Sequence, residues 1–258
     1  MRFDDSAAYE RFMGRWSRAV APLFLDWLDA PSGARWLDVG CGTGILAETV
    51  LGLCAPAAVS AVDPAPAQVQ AAASGAAAGR VTFEVADARA LPFADRTFDV
   101  VASALVINFI PDRPLALAEM RRVACVGGLV GGYVWDFAGE LSPSGPLRKA
   151  LRRSGAEVPV IPGTDASSPD ALHTLFESAG LAQIETRVVE ICLSYGSFNE
   201  FWVAQTPGYA PTTKVIAAMK ESERMRLMRA VQAALPAGPN GSIEYFARAH
   251  AIKARVPE

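Results

Sequence analysis

The sequence predicts an α/β fold: a doubly wound, mostly parallel sheet with helices on both faces. Two observations carry this expectation. The apolar run Trp36-Leu37-Asp38-Val39 breaks into Gly40-Cys41-Gly42-Thr43-Gly44, and a helix-compatible stretch starts at Ile45. That order is strand, tight turn and helix, the opening of a nucleotide-binding unit. A second run over 57–62 then stops at Asp63-Pro64, 19 residues beyond Gly44. At about that distance the second strand of a βαβ unit presents an acid at its carboxyl end.

The elements follow in order. Residues 6–29 read as helix, because Trp16, Val20, Phe24, Trp27 and Leu28 recur at three- and four-residue spacing. The segment Tyr9-Glu10-Arg11-Phe12-Met13-Gly14-Arg15-Trp16 is rich in aromatics and arginine. It can pack on the sheet or cover a pocket, which makes Tyr9 and Arg15 candidates to touch a ligand. The alanine-rich run to Gly79 is helical by propensity. A third strand over 81–85 ends at Ala86-Asp87-Ala88, and a fourth enters from Asp99 through Ser103. Asp112, with Pro114 in the first turn, opens the next helix, and Gly127-Gly128 precedes a fifth strand over 129–135. Five such units stack helices on both faces of a mostly parallel sheet.

Open parallel sheets bind ligands at the carboxyl ends of their strands. Asn108 and Phe109 after the fourth strand, and Trp135 and Asp136 after the fifth, are therefore candidates to line a substrate pocket. Residues 137–166 hold proline turns around a short basic helix near 147–153, and read as an insertion whose charges form a solvated face. Ser168-Pro169-Asp170 starts a helix stopped by Gly180. His173 on that helix reads as a surface or packing residue. A sixth strand spans 184–194, and a capping box at Ser197–Glu200 opens a helix carrying Phe201 and Trp202. Helices near 212–220 and 222–235 precede a last strand over 242–254. The aromatics of 196–240, Trp202 among them, can roof a substrate or form a subsidiary core.

The glycine loop restricts the ligand. Glycines at 40, 42 and 44 permit positive φ and let a ligand lie against bare backbone. A dinucleotide fingerprint needs glycine where Ile45 stands, which argues against a nicotinamide-dependent oxidoreductase. A P-loop needs Lys-Ser/Thr where Ile45-Leu46 stands. No basic residue lies between Arg35 and Arg80 to offset a polyphosphate. Asp38 places a carboxylate at the turn, which favours a cationic group. A nucleoside carrying an ammonium and a sulfonium suits that field.

Leu37-Asp38-Val39-Gly40-Cys41-Gly42-Thr43-Gly44 resembles the first motif of class I S-adenosylmethionine-dependent methyltransferases. The resemblance is strong over 35–135 and reaches 1–34 and 180–256 in outline. It points to the broad small-molecule group that includes the ubiquinone and menaquinone biosynthesis enzymes. It implies a Rossmann-like sheet of seven strands ending in an antiparallel pair, one domain over 1–258, a helical lid over 1–33 and cap insertions at 137–166 and 196–240. It further implies that Asp38, Gly40, Cys41, Gly42 and Gly44 hold the methionine end of S-adenosylmethionine. Asp63 with Pro64 then holds the ribose and Asp87 with Ala88 the adenine, while Ser103 sits beside the cofactor. A Tyr…Met-Gly-Arg-Trp segment like that at Tyr9 to Trp16 covers the methionine end in many such enzymes. Asp63 as a simple helix cap is the plainer alternative. Asp99 reads as structural.

The implied activity is methyl transfer to a small molecule, with a non-catalytic S-adenosylmethionine-binding sensor or partner protein as the alternative. No catalytic residue is assigned, because alignment and water exclusion suffice and a base is optional. The net charge of −3 argues against nucleic acid. Four scattered cysteines and two distant histidines argue against a metal site. No run is long enough to span a bilayer, and no signal peptide opens the chain, so a cytoplasmic setting is expected. The expected partner is a small-molecule substrate, with a homodimer left open.

Overall fold

A computed structural model describes residues 10–208 and 210–258. A seven-stranded sheet forms the frame, ordered β3-β2-β1-β4-β5-β7-β6. Its strands are β1 (Arg35–Val39), β2 (Ala58–Asp63), β3 (Thr82–Val85), β4 (Phe98–Ala104), β5 (Ala124–Trp135), β6 (Ala182–Tyr195) and β7 (Ile243–Arg255). The first five pair in parallel, while β7 runs antiparallel to both β5 and β6. Strand order reverses at β1, with β2 on one side and β4 on the other, so a crevice opens above the carboxyl ends of these strands.

Side chains alternate across each strand, so β1 sends Trp36 to one face and Leu37 and Val39 to the other. On the Trp36 face lie α1 (Arg15–Leu28) and α2 (Ile45–Leu53), where Trp16, Phe24 and Leu28 close a core with Tyr133 and Trp135. The Trp16 and Trp135 rings meet edge-to-face at 6.1 Å, a contact worth about 0.5–1.5 kcal/mol beyond burial. On the opposite face, Leu117 and Met120 of α4 (Arg113–Val123) and Phe176 of α6 (Pro169–Ser178) pack on Leu37, Val39 and Val101. The remaining edge helix is α3 (Pro66–Ala73).

A third, smaller core lies beyond the sheet. It joins α5 (Gly145–Arg153), α7 (Phe198–Gln205), α8 (Pro211–Ala218) and α9 (Glu221–Ala233) through Leu147, Leu151, Phe201, Ile216, Leu227 and Val231. Phe201 and Trp202 both belong here, Trp202 tilted against Phe198 at 6.0 Å.

Several boundaries differ from the sequence reading. The first regular α-helix begins at Arg15, after a π-turn over Glu10–Gly14. The alanine-rich helix stops at Ala73, where the Ser74 hydroxyl bonds back to the Gln70 carbonyl and Gly75 follows. β5 begins at Ala124 and runs through Gly127-Gly128, which a register shift against β4 accommodates. Among the described residues, no helix is long and apolar enough to cross a membrane.

Candidate active site

The glycine loop is tied at both ends. The Gly40 and Cys41 amides both donate to the Val62 carbonyl, at 2.8 and 2.9 Å, which fastens the end of β1 to β2. Gly40 has φ +78°, and a Cβ there would lie 2.6 Å from a Val106 methyl, so no other residue fits. Gly42 is also left-handed but faces open space. Asp63 closes the turn from the other side: its Oδ2 accepts the Gly42 amide at 3.0 Å and its Oδ1 the Ala65 amide at 2.9 Å. Burial pushes its pKa above the usual carboxylate range, while those two amides oppose the rise. Each oxygen keeps a lone pair beyond these bonds.

Asp38 lies beneath the loop, 3% exposed, and neither carboxylate oxygen has a hydrogen-bond partner. The Ala47 amide points at it without closing a bond of normal geometry, so burial dominates and, with the Asp63 charge, lifts its pKa to about 7. A buried, unpaired carboxylate costs several kcal/mol unless something neutralises it. The neighbouring Cys41 thiol is pushed far above its usual range by burial and by both acids, which makes it an inert packing group.

Above this loop is a cavity of about 700 Å³, within the range of small-molecule sites. Its floor comes from the carboxyl ends of the strands: Gly40 to Thr43, Asp63 to Gln68, Ala86 to Ala88 and Leu105-Val106. Leu105 holds φ +62°, an uncommon conformation for leucine, at the end of β4. Asp87 lines the floor, yet its carboxylate is held by the Arg89 side chain at 2.6 and 3.0 Å, and this partner keeps it below the usual carboxylate range. Phe12, Met13 and Ser17 close the cavity from the N-terminal side. Residues of 137–166, among them Phe137 and Val160, with Gln205 and Ala210-Pro211-Thr212 from beyond β6, complete its roof. Among the described residues, no group of three or more His, Cys, Asp or Glu side chains is placed to hold a metal.

Comparison with known proteins agrees with this architecture. A family model described as a methyltransferase domain matches residues 37–131. Over those residues the chain carries a methyltransferase domain. An uncharacterised protein of Mycobacterium tuberculosis is 37% identical over 122 residues, covering 46% of this chain and 44% of that protein. The ubiquinone/menaquinone biosynthesis C-methyltransferase of Paracoccus denitrificans is 37% identical over 160 residues, covering 60% of this chain and 62% of its own. The chain thus spans about half the length of the curated relatives it matches. The crystal structure of a methyltransferase of unproven activity from Bacillus halodurans superposes with a TM-score of 0.61 at 15% identity, over 92% of this chain and 99% of that one. At that identity the likeness concerns the fold.

Within and around the methyltransferase domain, the structure brings most of the sequence candidates together. Gly40, Cys41, Gly42, Asp63, Pro64, Asp87, Ala88, Phe109 and Trp135 all line the cavity. Others lie off it. Gly44, with φ +91°, packs against Ala72 and Phe83 and caps α2. Ser103 is fully buried and donates its hydroxyl to the Val39 carbonyl at 2.9 Å. Asn108 is buried under the roof, with its Nδ2 donating to the Pro162 carbonyl at 3.2 Å. Asp136 does not face the cavity; its Oδ1 accepts the Gly139 amide at 2.6 Å beside buried His250. Trp202 belongs to the subsidiary core. Arg15 reaches Glu200 at 3.0 Å and the Ser194 carbonyl at 2.9 Å, over the Tyr195 ring. Tyr9 lies outside the described residues. Asp99 holds Arg35 in a two-pronged pair at 2.8 and 3.0 Å, which lowers its pKa to about 2.

Sequence reasoning missed Arg148 and Gln205, which both line the cavity. The first stood in a basic helix read as wholly solvated, and the second in a segment without a family motif. Burial alone distinguishes them, and no local pattern announces it.

Proposed function

We propose that this protein transfers a methyl group from S-adenosylmethionine to a small, mainly apolar acceptor. The observation that carries the reading is Asp38, a buried carboxylate without a partner beneath a lysine-free glycine loop. It fits a cationic nucleoside and repels a diphosphate. The bound cofactor supplies a methyl carbon already activated by positive sulfur.

The chain's own residues then bind and align. Asp38 would offset the charge of the methionine end, the Gly40–Gly42 backbone would let it approach, and the free lone pairs of Asp63 would accept from the ribose hydroxyls. Asp87 and Ala88 would meet the adenine edge, with Arg89 holding the Asp87 carboxylate in place. Phe12, Met13, Trp135 and Phe137 exclude water from the space where an acceptor lies. Holding the acceptor atom at ~3 Å in line with the methyl contributes several kcal/mol without a protonic step. The segments 1–33, 137–166 and 196–240 act as lid and caps over this space.

Calorimetry with S-adenosylhomocysteine is the direct test, followed by labelled-methyl transfer to candidate acceptors. Micromolar binding is expected. Absence of that binding, together with retention of a nicotinamide dinucleotide, would overturn the proposal.

A further inference from the structure

The roof of the cavity holds one cation among its described lining residues, Arg148. It stands in the first turn of α5, where the helix N-terminus is already electropositive, so its placement there does nothing for the helix. Its Nη1 donates to the Pro159 carbonyl at 2.8 Å, and no carboxylate among the described residues pairs with it. Glu140, whose charge acts on it, is paired with Arg152. Burial, with the Arg152 charge beside it, pulls the Arg148 guanidinium below its ordinary range. The rest of its fork of donors is uncommitted.

A second polar group reaches the same cavity from another insertion. Gln205, at the end of α7, is 1% exposed, and neither its Oε1 nor its Nε2 closes a hydrogen bond of normal geometry. The Tyr195 hydroxyl is its neighbour and only approaches it. A buried amide left unmet costs about 1–3 kcal/mol. Such a group persists where a ligand satisfies it. Apolar residues line the same cavity, among them Phe109, Phe137, Pro143 and Ile161.

We infer that the methyl acceptor is an apolar, aromatic-sized carboxylic acid whose carboxylate is bound by Arg148 and Gln205. This rests on the proposed methyl transfer and adds the class of acceptor. A planar carboxylate matches the guanidinium fork, and an amide Nε2–H can donate to the same oxygen. The acid group serves as a handle, so the atom that receives the methyl lies elsewhere on the molecule, toward the glycine loop.

The test measures binding of 2-naphthoate and its neutral isostere 2-naphthamide by calorimetry, with and without saturating S-adenosylhomocysteine. Wild type, Arg148→Gln and Arg148→Lys are compared. Wild type is expected to prefer the acid by tenfold or more. The glutamine variant should lose that preference, and the lysine variant should keep part of it. S-adenosylhomocysteine affinity should stay within twofold in all three, which also reports that the variants are folded. Equal affinity for acid and amide in wild type, binding of neither, or an acid preference that survives Arg148→Gln overturns the inference. The wild-type comparison stands by itself if a variant fails to fold. Failure of S-adenosylhomocysteine to bind wild type is a separate result that strikes the proposed function, since the acid–amide comparison is also made without it.

Discussion

The Asp63 carboxylate accepts the Gly42 amide at 3.0 Å, so the acid at the end of β2 shapes the glycine loop as well as facing the cavity. The same group accepts the Ala65 amide at 2.9 Å. Asp63→Ala would strand both amides. It is expected to lower stability by about 1–3 kcal/mol and to weaken S-adenosylhomocysteine at least tenfold. Asp63→Asn should keep one of the two amide contacts and fall between. Denaturant titration and calorimetry on the same samples separate the two effects. Unchanged ligand affinity in Asp63→Ala would remove the residue from the site.

Asp38 predicts a pH dependence of unusual sign for a carboxylate. Its folded pKa is about 7 against an ordinary 3.8, so between those values the native state holds a proton that the unfolded chain has released. Stability of the ligand-free protein therefore falls as pH rises from about 4 to about 7, then levels. At ~1.4 kcal/mol per pH unit the loss is at most about 4 kcal/mol. A cation bound over Asp38 favours its ionised form, so S-adenosylmethionine affinity should rise across the same window, with about one proton released below pH 7. Asp38→Asn should flatten both profiles, raise ligand-free stability at pH 8 and weaken the cofactor. Chemical denaturation over pH 5–8, with calorimetry in buffers of differing ionisation heat, measures each.

The floor of the site was legible in the sequence and the roof was not, for a physical reason. Gly40, Asp63 and Asp87 sit where strands end, and strand ends are announced by local chemistry: an apolar run, then glycine or an acid. The antiparallel pairing of β6 with β7 came from the likeness to a family and not from spacing, since pairing across a long helical insertion has no local signature. Roof residues depend on how two insertions fold over the sheet. Asp136 shows the limit: its place after β5 suggested a ligand contact, yet the backbone turns there and the Gly139 amide takes its carboxylate. Arg148, read as part of a solvated face, turns inward to the cavity, while Trp202, read as roof or subsidiary core, joins the subsidiary core.

Arg15 supplies a negative control on the N-terminal helix. Its guanidinium is committed to Glu200 and the Ser194 carbonyl, away from the cavity lining. With both partners of the ion pair more than 40% exposed, the pair is worth little. Arg15→Ala is expected to leave S-adenosylhomocysteine affinity within twofold and to shift the thermal midpoint by no more than a few degrees. A tenfold loss of affinity would return Arg15 to the cofactor site.

Gly163 tests whether the roof is rigid. It has φ +69° and lies so close to the Asn108 backbone that a Cβ would overlap the Asn108 carbonyl oxygen. Asn108 in turn donates its Nδ2 to the Pro162 carbonyl, so the strand 4 loop and the 159–163 segment are fastened at two adjacent points. Gly163→Ala forces one of them apart at a cost of about 1–3 kcal/mol from overpacking, with left-handed strain of order 1 kcal/mol added. Because 159–161 lines the cavity roof while the glycine loop is remote in sequence, the acceptor side should suffer first. The expected result is a five- to tenfold weaker 2-naphthoate complex, with S-adenosylhomocysteine binding retained. Equal losses for both ligands would mean that roof and floor move as one body.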